Sequence, residues 1–252
     1  MSPTAVIGET WALYKRHWSH LIPIALVVYA ILGVVSILLT WALGWLGALL
    51  GAFVSILGVF WLQAALVEAV ADVRDGRADL SISETFAHGR EHLSSVLVAG
   101  LLAAIAITLG LILFIVPGLF LMTIWCVIVP VIVLESRSAG ESFGRSRELV
   151  RGEGWNVFGL IVLVFLILIG AGIILSILLS WLPGWLGSYI QSVVSNSITA
   201  PFVAVALTLA YFTLRGRESD PEPALEQSSA FDEPRSSEPD DPAPTEQPPP
   251  AP

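Results

Sequence analysis

Apolar positions run almost unbroken through three stretches of this chain, 17–67, 92–134 and 154–214, and none of the three contains an Asp, Glu, Lys or Arg. They are 51, 43 and 61 residues long. A helix needs about 20 apolar residues to cross about 30 Å of hydrocarbon, so each stretch is too long for one crossing and suits two joined by a turn. Glycine and proline place the turns at Leu43-Gly44-Trp45-Leu46-Gly47, Pro117-Gly118 and Pro183-Gly184-Trp185-Leu186-Gly187. The spans predicted are 21–40, 47–67, 93–115, 119–134, 155–182 and 189–214. The fold class is therefore all-α, a polytopic membrane protein of six transmembrane helices.

Basic residues set the orientation. Lys15, Arg16, Arg74, Arg77, Arg90, Arg137, Arg145, Arg147, Arg151, Arg215 and Arg217 all flank the apolar stretches, while the turns inside them have no base. The positive-inside rule then puts both termini and both long connections in the cytoplasm. Trp41, Trp45, Trp181 and Trp185 surround the first and third turns, as amphipathic rings do at a headgroup layer. Nothing ahead of Leu21 reads as a cleavable signal, because the apolar run is too long and continues into a second span.

Composition agrees: 55% hydrophobic and 13% charged residues, with a mean hydropathy of +0.80, exclude an ordinary soluble domain. The single cysteine, Cys126, excludes an internal disulfide and a multi-thiolate metal site. A net charge of −9 sits oddly on such a chain until it is divided. Residues 1–217 carry eleven acids and eleven bases, whereas 218–252 carry ten acids, one base and ten prolines. That tail holds the whole excess, has almost no large apolar residue, and is expected to be disordered. The domains predicted are thus a six-helix body, 1–217, and a cytoplasmic tail, 218–252.

A motif recurs ahead of each apolar stretch. Glu9-Thr10-Trp11 is followed by Lys15, Glu84-Thr85-Phe86 by Arg90, and Glu141-Ser142-Phe143 by Arg147. Glutamate, hydroxyl, aromatic and a base six residues after the glutamate match three times. Ser81 and Ser138 stand three residues before their glutamates, the spacing of a capping box; the first copy has Val6 there. Each unit reads as a short helix at the cytoplasmic interface followed by a two-span hairpin, with repeats at about 5–72, 81–136 and 138–214. All three run the same way, so they would be related by an axis near the membrane normal, as in a pseudo-threefold bundle.

Between 117 and 155 the chain becomes distinctive. Pro117-Gly118-Leu119-Phe120-Leu121, Pro130, Glu135, and the run from Ser142 through Arg145-Ser146-Arg147-Glu148-Leu149-Val150-Arg151-Gly152 to Trp155 resemble the bacterial membrane-domain family named after glycerophosphoryl diester phosphodiesterase, and its relatives of unknown function. The resemblance implies a multi-span membrane domain over about 1–214. It carries no catalytic residue onto this chain, and the region after Leu214 is too short for the soluble barrel fused to some members.

Four groups of side chains carry candidate chemistry. Arg145, Arg147 and Arg151 could dock lipid phosphates, since guanidinium forks match phosphate oxygens; as ordinary juxtamembrane bases they would only set topology, the reading favoured by nearby Glu141, Glu148 and Glu153. Gln191, Ser195 and Thr199, with Ser192 and Asn196 beside them, make a polar stripe predicted to face the bundle interior, where it would either line a pore or bind helices together. Packing is favoured, because no span contains a charge. Small-residue stripes at Gly47, Gly51 and Ser55, and at Gly100 and Ala104, are read as packing positions, and Glu68 and Glu135 as span ends that meet water or an arginine. His88 and His92 have the spacing of a helical metal pair but no third ligand, and His92 aligns with His17 in the repeat, so packing explains it better.

No nucleophile with an adjacent base and no phosphate-binding glycine loop is found, so neither an enzyme nor a cofactor is expected. Membrane lipids and other membrane proteins are the expected partners; an acidic tail argues against nucleic acid. The function expected is a lipid-associated scaffold or accessory in membrane or envelope maintenance, with a small-molecule or lipid transporter using the sixth-helix stripe as the alternative.

Overall fold

Helix α1 (Pro3–Leu43) begins at a serine followed by a proline. The Ala5 amide donates to the Ser2 hydroxyl at 3.3 Å, and Pro3 sits in the first turn, where an N–H has no helical partner. At 41 residues α1 is far longer than one crossing requires, and non-helical backbone at His17 divides it. His17 Nδ1 donates to the Leu13 carbonyl at 3.3 Å beside this break. A polar leading segment and an apolar span thus share one rod, where the sequence predicts a span starting at Leu21.

The structure, a computed structural model, describes residues 1–74, 82–181 and 184–219. After α1 come α2 (Trp45–Arg74), α3 (Ile82–Glu91), α4 (Leu93–Leu113), α5 (Ile115–Ile124), α6 (Ile128–Glu135), α7 (Ala139–Val150), α8 (Gly154–Leu179) and α9 (Gly184–Ser219), with no strand among the described residues. Six runs are long and apolar enough to cross a membrane: Pro3–Leu43, Trp45–Arg74, Leu93–Leu113, Ile115–Glu135, Gly154–Leu179 and Gly187–Glu218. This is a multi-pass membrane protein. The tail past Ser219, the Ser81 cap and Pro183 lie outside the described residues.

Gly44 alone joins α1 to α2, at a φ of 59° that a side chain would resist. The second turn falls earlier than its Pro117-Gly118 signal. The chain leaves helical geometry at Phe114 (φ −154°, ψ 132°), and Pro117 lies in the first turn of α5, where its missing N–H breaks nothing. Gly118 serves contact instead, since a Cβ on Gly110 would lie 3.0 Å from its Cα. The α1–α2 hairpin is similarly tight: Ser36 donates to the Gly51 carbonyl at 3.4 Å and lies 3.2 Å from the Ser55 hydroxyl.

The fourth span is broken into α5 and α6. The Ile128 amide donates to Trp125 at 3.3 Å, one residue short of the α-helical partner, and Pro130 has no N–H to offer Cys126. Around this break lies the core. Leu21 and Ile24 of α1, Leu62, Leu66 and Val70 of α2, Val127 and Val131, Val157 and Leu160 of α8, and Val205, Leu209 and Tyr211 of α9 form one buried cluster. Ala64, Val67, Val96, Ala99, Ile128 and Ile132 form a second. All come from the half of the bundle nearer its charged ends. Towards the turns the large side chains are exposed, among them Leu38, Trp41, Trp45, Leu49, Ile112, Leu113, Ile174, Ile177 and Trp181. Such a surface would aggregate in water, whereas hydrocarbon solvates it.

Candidate functional site

The charged end is organised by three leading segments: the start of α1 up to Arg16, α3 and α7. Helix α7 has the capping box its sequence predicts. The Glu141 amide donates to the Ser138 hydroxyl at 3.4 Å and the Ser138 amide to the Glu141 carboxylate at 3.1 Å. The Ser138 hydroxyl, and then its amide, hold the exposed Glu141 carboxyl below its ordinary range.

Within the motif, Glu9, Lys15, Arg90, Glu141 and Arg147 are exposed, while Thr10 and Ser142 are buried and donate to Val6 and Ala139 carbonyls, each at 2.7 Å. The Glu84 side chain lies outside the described residues. Each motif aromatic meets another ring edge-on: Phe86 with Trp61 of α2 at 5.2 Å, Phe143 with Trp125 at 4.9 Å, and Trp11 with Phe202 of α9 at 6.3 Å.

The residue five places after each motif glutamate lies outside the repeated motif, yet it too meets a span. The Tyr14 hydroxyl donates to the Ile198 carbonyl of α9 at 3.0 Å, and Ser146 donates to the Ile124 carbonyl of α5 at 2.8 Å. At Gly89 a Cβ would stand 3.0 Å from the Ala65 amide nitrogen of α2. Tyrosine, glycine and serine share no chemistry, so only their common helical face could have signalled the role.

A charged network joins α6, α7 and α9. Glu135, only 10% exposed at the end of an apolar span, accepts from Arg145 Nε at 3.1 Å and from the Tyr211 hydroxyl at 3.0 Å, with Arg137 Nε at 3.5 Å. Tyr211 in turn accepts from Arg215 at 3.1 Å. The other side of the Arg145 guanidinium grips Glu218 through two bonds of 2.8 and 2.6 Å. Those bonds to Glu218, and the one to Glu135, raise the Arg145 pKa further above its ordinary range. Glu153 pairs with Arg217 and, at 3.1 Å, with the Met1 amino group.

The three candidate lipid arginines therefore separate. Arg145 is held inside the network at 16% exposure. Arg147 and Arg151 are exposed, and their side chains make no ion pair, hydrogen bond or ring contact among the described residues. Both line a crevice of about 630 Å³ with Phe120, Ile124, Val150 and Gly144. A neighbouring crevice of about 350 Å³, lined by Leu149, Leu214 and Arg217 among others, shares Glu148, Arg151 and Gly152 with it.

The polar stripe of α9 is divided too. Gln191, Ser195 and Thr199 are half-buried, whereas Ser192 and Asn196 are exposed, the Asn196 amide donating to the Ser192 hydroxyl at 3.3 Å. The fully enclosed hydroxyl of this region is Ser197, which donates to the Val193 carbonyl at 2.6 Å. Among the described residues no three His, Cys, Asp or Glu gather closely enough to hold a metal ion, and the His88 side chain lies outside them.

Residues 86–215, just over half of the chain, match a domain of unknown function (DUF7847), from within α3 to Arg215 in the last turns of α9. It takes in Arg147 and Arg151 of the larger crevice and the Glu135 network up to Arg215, while Arg217 and Glu218 lie beyond it. No curated protein and no solved structure gives a significant match.

Proposed function

The chain belongs to the DUF7847 family, a domain whose function is unknown, and from its own residues we propose a non-enzymatic, lipid-associated scaffold or accessory of the bacterial inner membrane. The observation that carries this is the division among the α7 arginines. Arg145 is consumed in ties between helices, while the Arg147 and Arg151 side chains have no partner among the described residues and stand on a crevice with apolar walls. Ties between helices suit a rigid platform, and unpaired guanidinium groups beside apolar surface suit lipid headgroups.

The repeat belongs to this reading. Phe86 docks on the span before it, Phe143 likewise, and Trp11 docks on the last span, so the contacts run round a ring in a manner that supports three parallel units. The positive-inside rule puts these docking contacts and both termini in the cytoplasm. Resemblance to the membrane domains named after glycerophosphoryl diester phosphodiesterase supports a multi-span membrane body and brings no catalytic residue to it.

Lipids and proteins that copurify with the full chain in a mild detergent test the proposal. Anionic phospholipid should accompany the protein, and changing Arg145, Arg147 and Arg151 together to Gln should strip it. Unaltered lipid content would sink the reading. The transporter alternative draws on exposed Asn196 and Ser192, and it requires a water path past Gln191 that thiol labelling of Gln191→Cys would detect.

A further inference from the structure

We propose that the crevice between α5, α7 and the start of α8 holds one anionic phospholipid, its phosphate on Arg147 and Arg151 and an acyl chain against Phe120 and Ile124. This rests on the lipid-associated reading above and makes it a single, shaped site. Four observations converge on it.

The two arginines are four residues apart at the end of α7, both exposed, both without a partner among the described residues, and both on the crevice wall. Arg145, the third of the group, is excluded because Glu135 and Glu218 occupy its guanidinium. Glu148 also lines the crevice, 70% exposed and 3.7 Å from an Arg145 already tied to two other acids, so it subtracts one charge from the two arginines and leaves the rim net positive.

Gly154, on the same wall, is the first residue of α8. The side chain of the preceding residue, Glu153, makes no cap, and the first helical amide bond is Val157 to Glu153, so the amides of the opening turn carry no helical partner beside the arginines. Uncapped amides at the start of a helix favour an anion, here in addition to two guanidinium groups.

Opposite this cationic rim the walls are apolar: Phe120, Ile124 and Val150. A free phosphate has no use for them, whereas a phosphate joined to an acyl chain uses both halves. The volume of about 630 Å³ lies within the range of about 300–1,000 Å³ common to ligand sites. Trp155, next to Gly154 and 86% exposed, is the ring expected where headgroups meet hydrocarbon.

Gly144 provides the decisive variant. It lines the crevice, it lies within α7, and a Cβ there meets nothing within 4 Å, so Gly144→Leu fills the crevice while the helix and both arginines stay. Gly140, equally open but off the crevice wall, is its control. The full chain is placed in nanodiscs of phosphatidylglycerol and phosphatidylcholine, and retained lipids are counted by native mass spectrometry. The wild type should keep one phosphatidylglycerol. Arg147→Gln with Arg151→Gln should weaken retention roughly thirtyfold. Gly144→Leu should lose the lipid, and Gly140→Leu should keep it. If Gly144→Leu retains the lipid while the double Gln variant loses it, attraction is diffuse and the crevice is overturned although lipid association stands. Equal retention of phosphatidylcholine, or displacement by inorganic phosphate as effective as by phosphatidylglycerol, also overturns the site. If even the triple Gln variant keeps its lipid, both readings fall.

Discussion

Ser146 donates to the Ile124 carbonyl at 2.8 Å, and that carbonyl is the one the break in the fourth span leaves without its amide. The helix interruption and the docking of α7 are thus one feature. Ser146 is fully buried, so Ser146→Ala strands a carbonyl away from water and should cost about 1–3 kcal/mol. Thermal unfolding in detergent should show a lower midpoint for this variant, with exposed Ser94→Ala unchanged as control. Matching midpoints would mean that Ser146 does not support the break.

Tyr211 and Glu135 join α9 to α6 in the same manner, but through a carboxylate that Arg145 also needs. Tyr211→Phe should cost about 1 kcal/mol, and Glu135→Gln more, because it leaves Arg145 in a site at 16% exposure with one acid fewer. The double variant should show a coupling of about 0.5–3 kcal/mol between the two positions. Simple additivity in the unfolding midpoints would contradict the shared network.

The sequence made the spans readable because absence of charge is a one-dimensional signal that the bilayer enforces residue by residue. It made the aromatic anchors Trp11, Phe86 and Phe143 readable because they repeat in kind. Tyr14, Gly89 and Ser146 could not be read so, since each suits the particular span it meets: a hydroxyl for the Ile198 and Ile124 carbonyls, no side chain at all against the Ala65 backbone. The Pro117 signal was misplaced for a related reason, as proline marks a helix start as readily as a turn. That Arg145 would be consumed depends on Glu135 and on Glu218, the latter more than seventy residues away, and no local pattern sets it apart from Arg147, which has no side-chain partner among the described residues.

Glu141 gives a pH test. Its folded pKa is depressed below the ordinary value of 4.5, so its contribution is complete above that value and is lost as pH falls through the lower folded one. Hydrogen exchange at the Glu141 amide, which donates to Ser138, should be level above about pH 5 and accelerate relative to its intrinsic rate below pH 4. Glu141→Gln retains a neutral box and should remove that pH dependence. The same profile in both proteins would assign the effect to another group.

Thr208 points the other way. Its hydroxyl is buried in α9 with no hydrogen-bond partner among the described residues. Thr208→Val exchanges that orphan for a methyl of nearly the same shape and should raise stability by about 1 kcal/mol, visible as a higher unfolding midpoint. A lower midpoint would reveal a partner for the hydroxyl in the membrane-embedded protein.

Orientation follows from where the bases and the apolar girdle lie. The turn end carries exposed Trp41, Trp45 and Trp181, while Arg145, Arg147, Arg151 and Arg217 share the other end. Six crossings, as many as there are long apolar runs among the described residues, would return the chain to the side on which it began. A reporter enzyme active only outside the cytoplasm should therefore work when fused near Gly44, Phe114 or Gly184, and fail after Arg217 or within α7. The reverse pattern would place Arg147 and Arg151 on the outer leaflet and move the lipid crevice with them. A mixed pattern, active near Phe114 and still active within α7, would instead mean that the broken α5–α6 run does not cross, because its interruption at Trp125 lets the segment turn back.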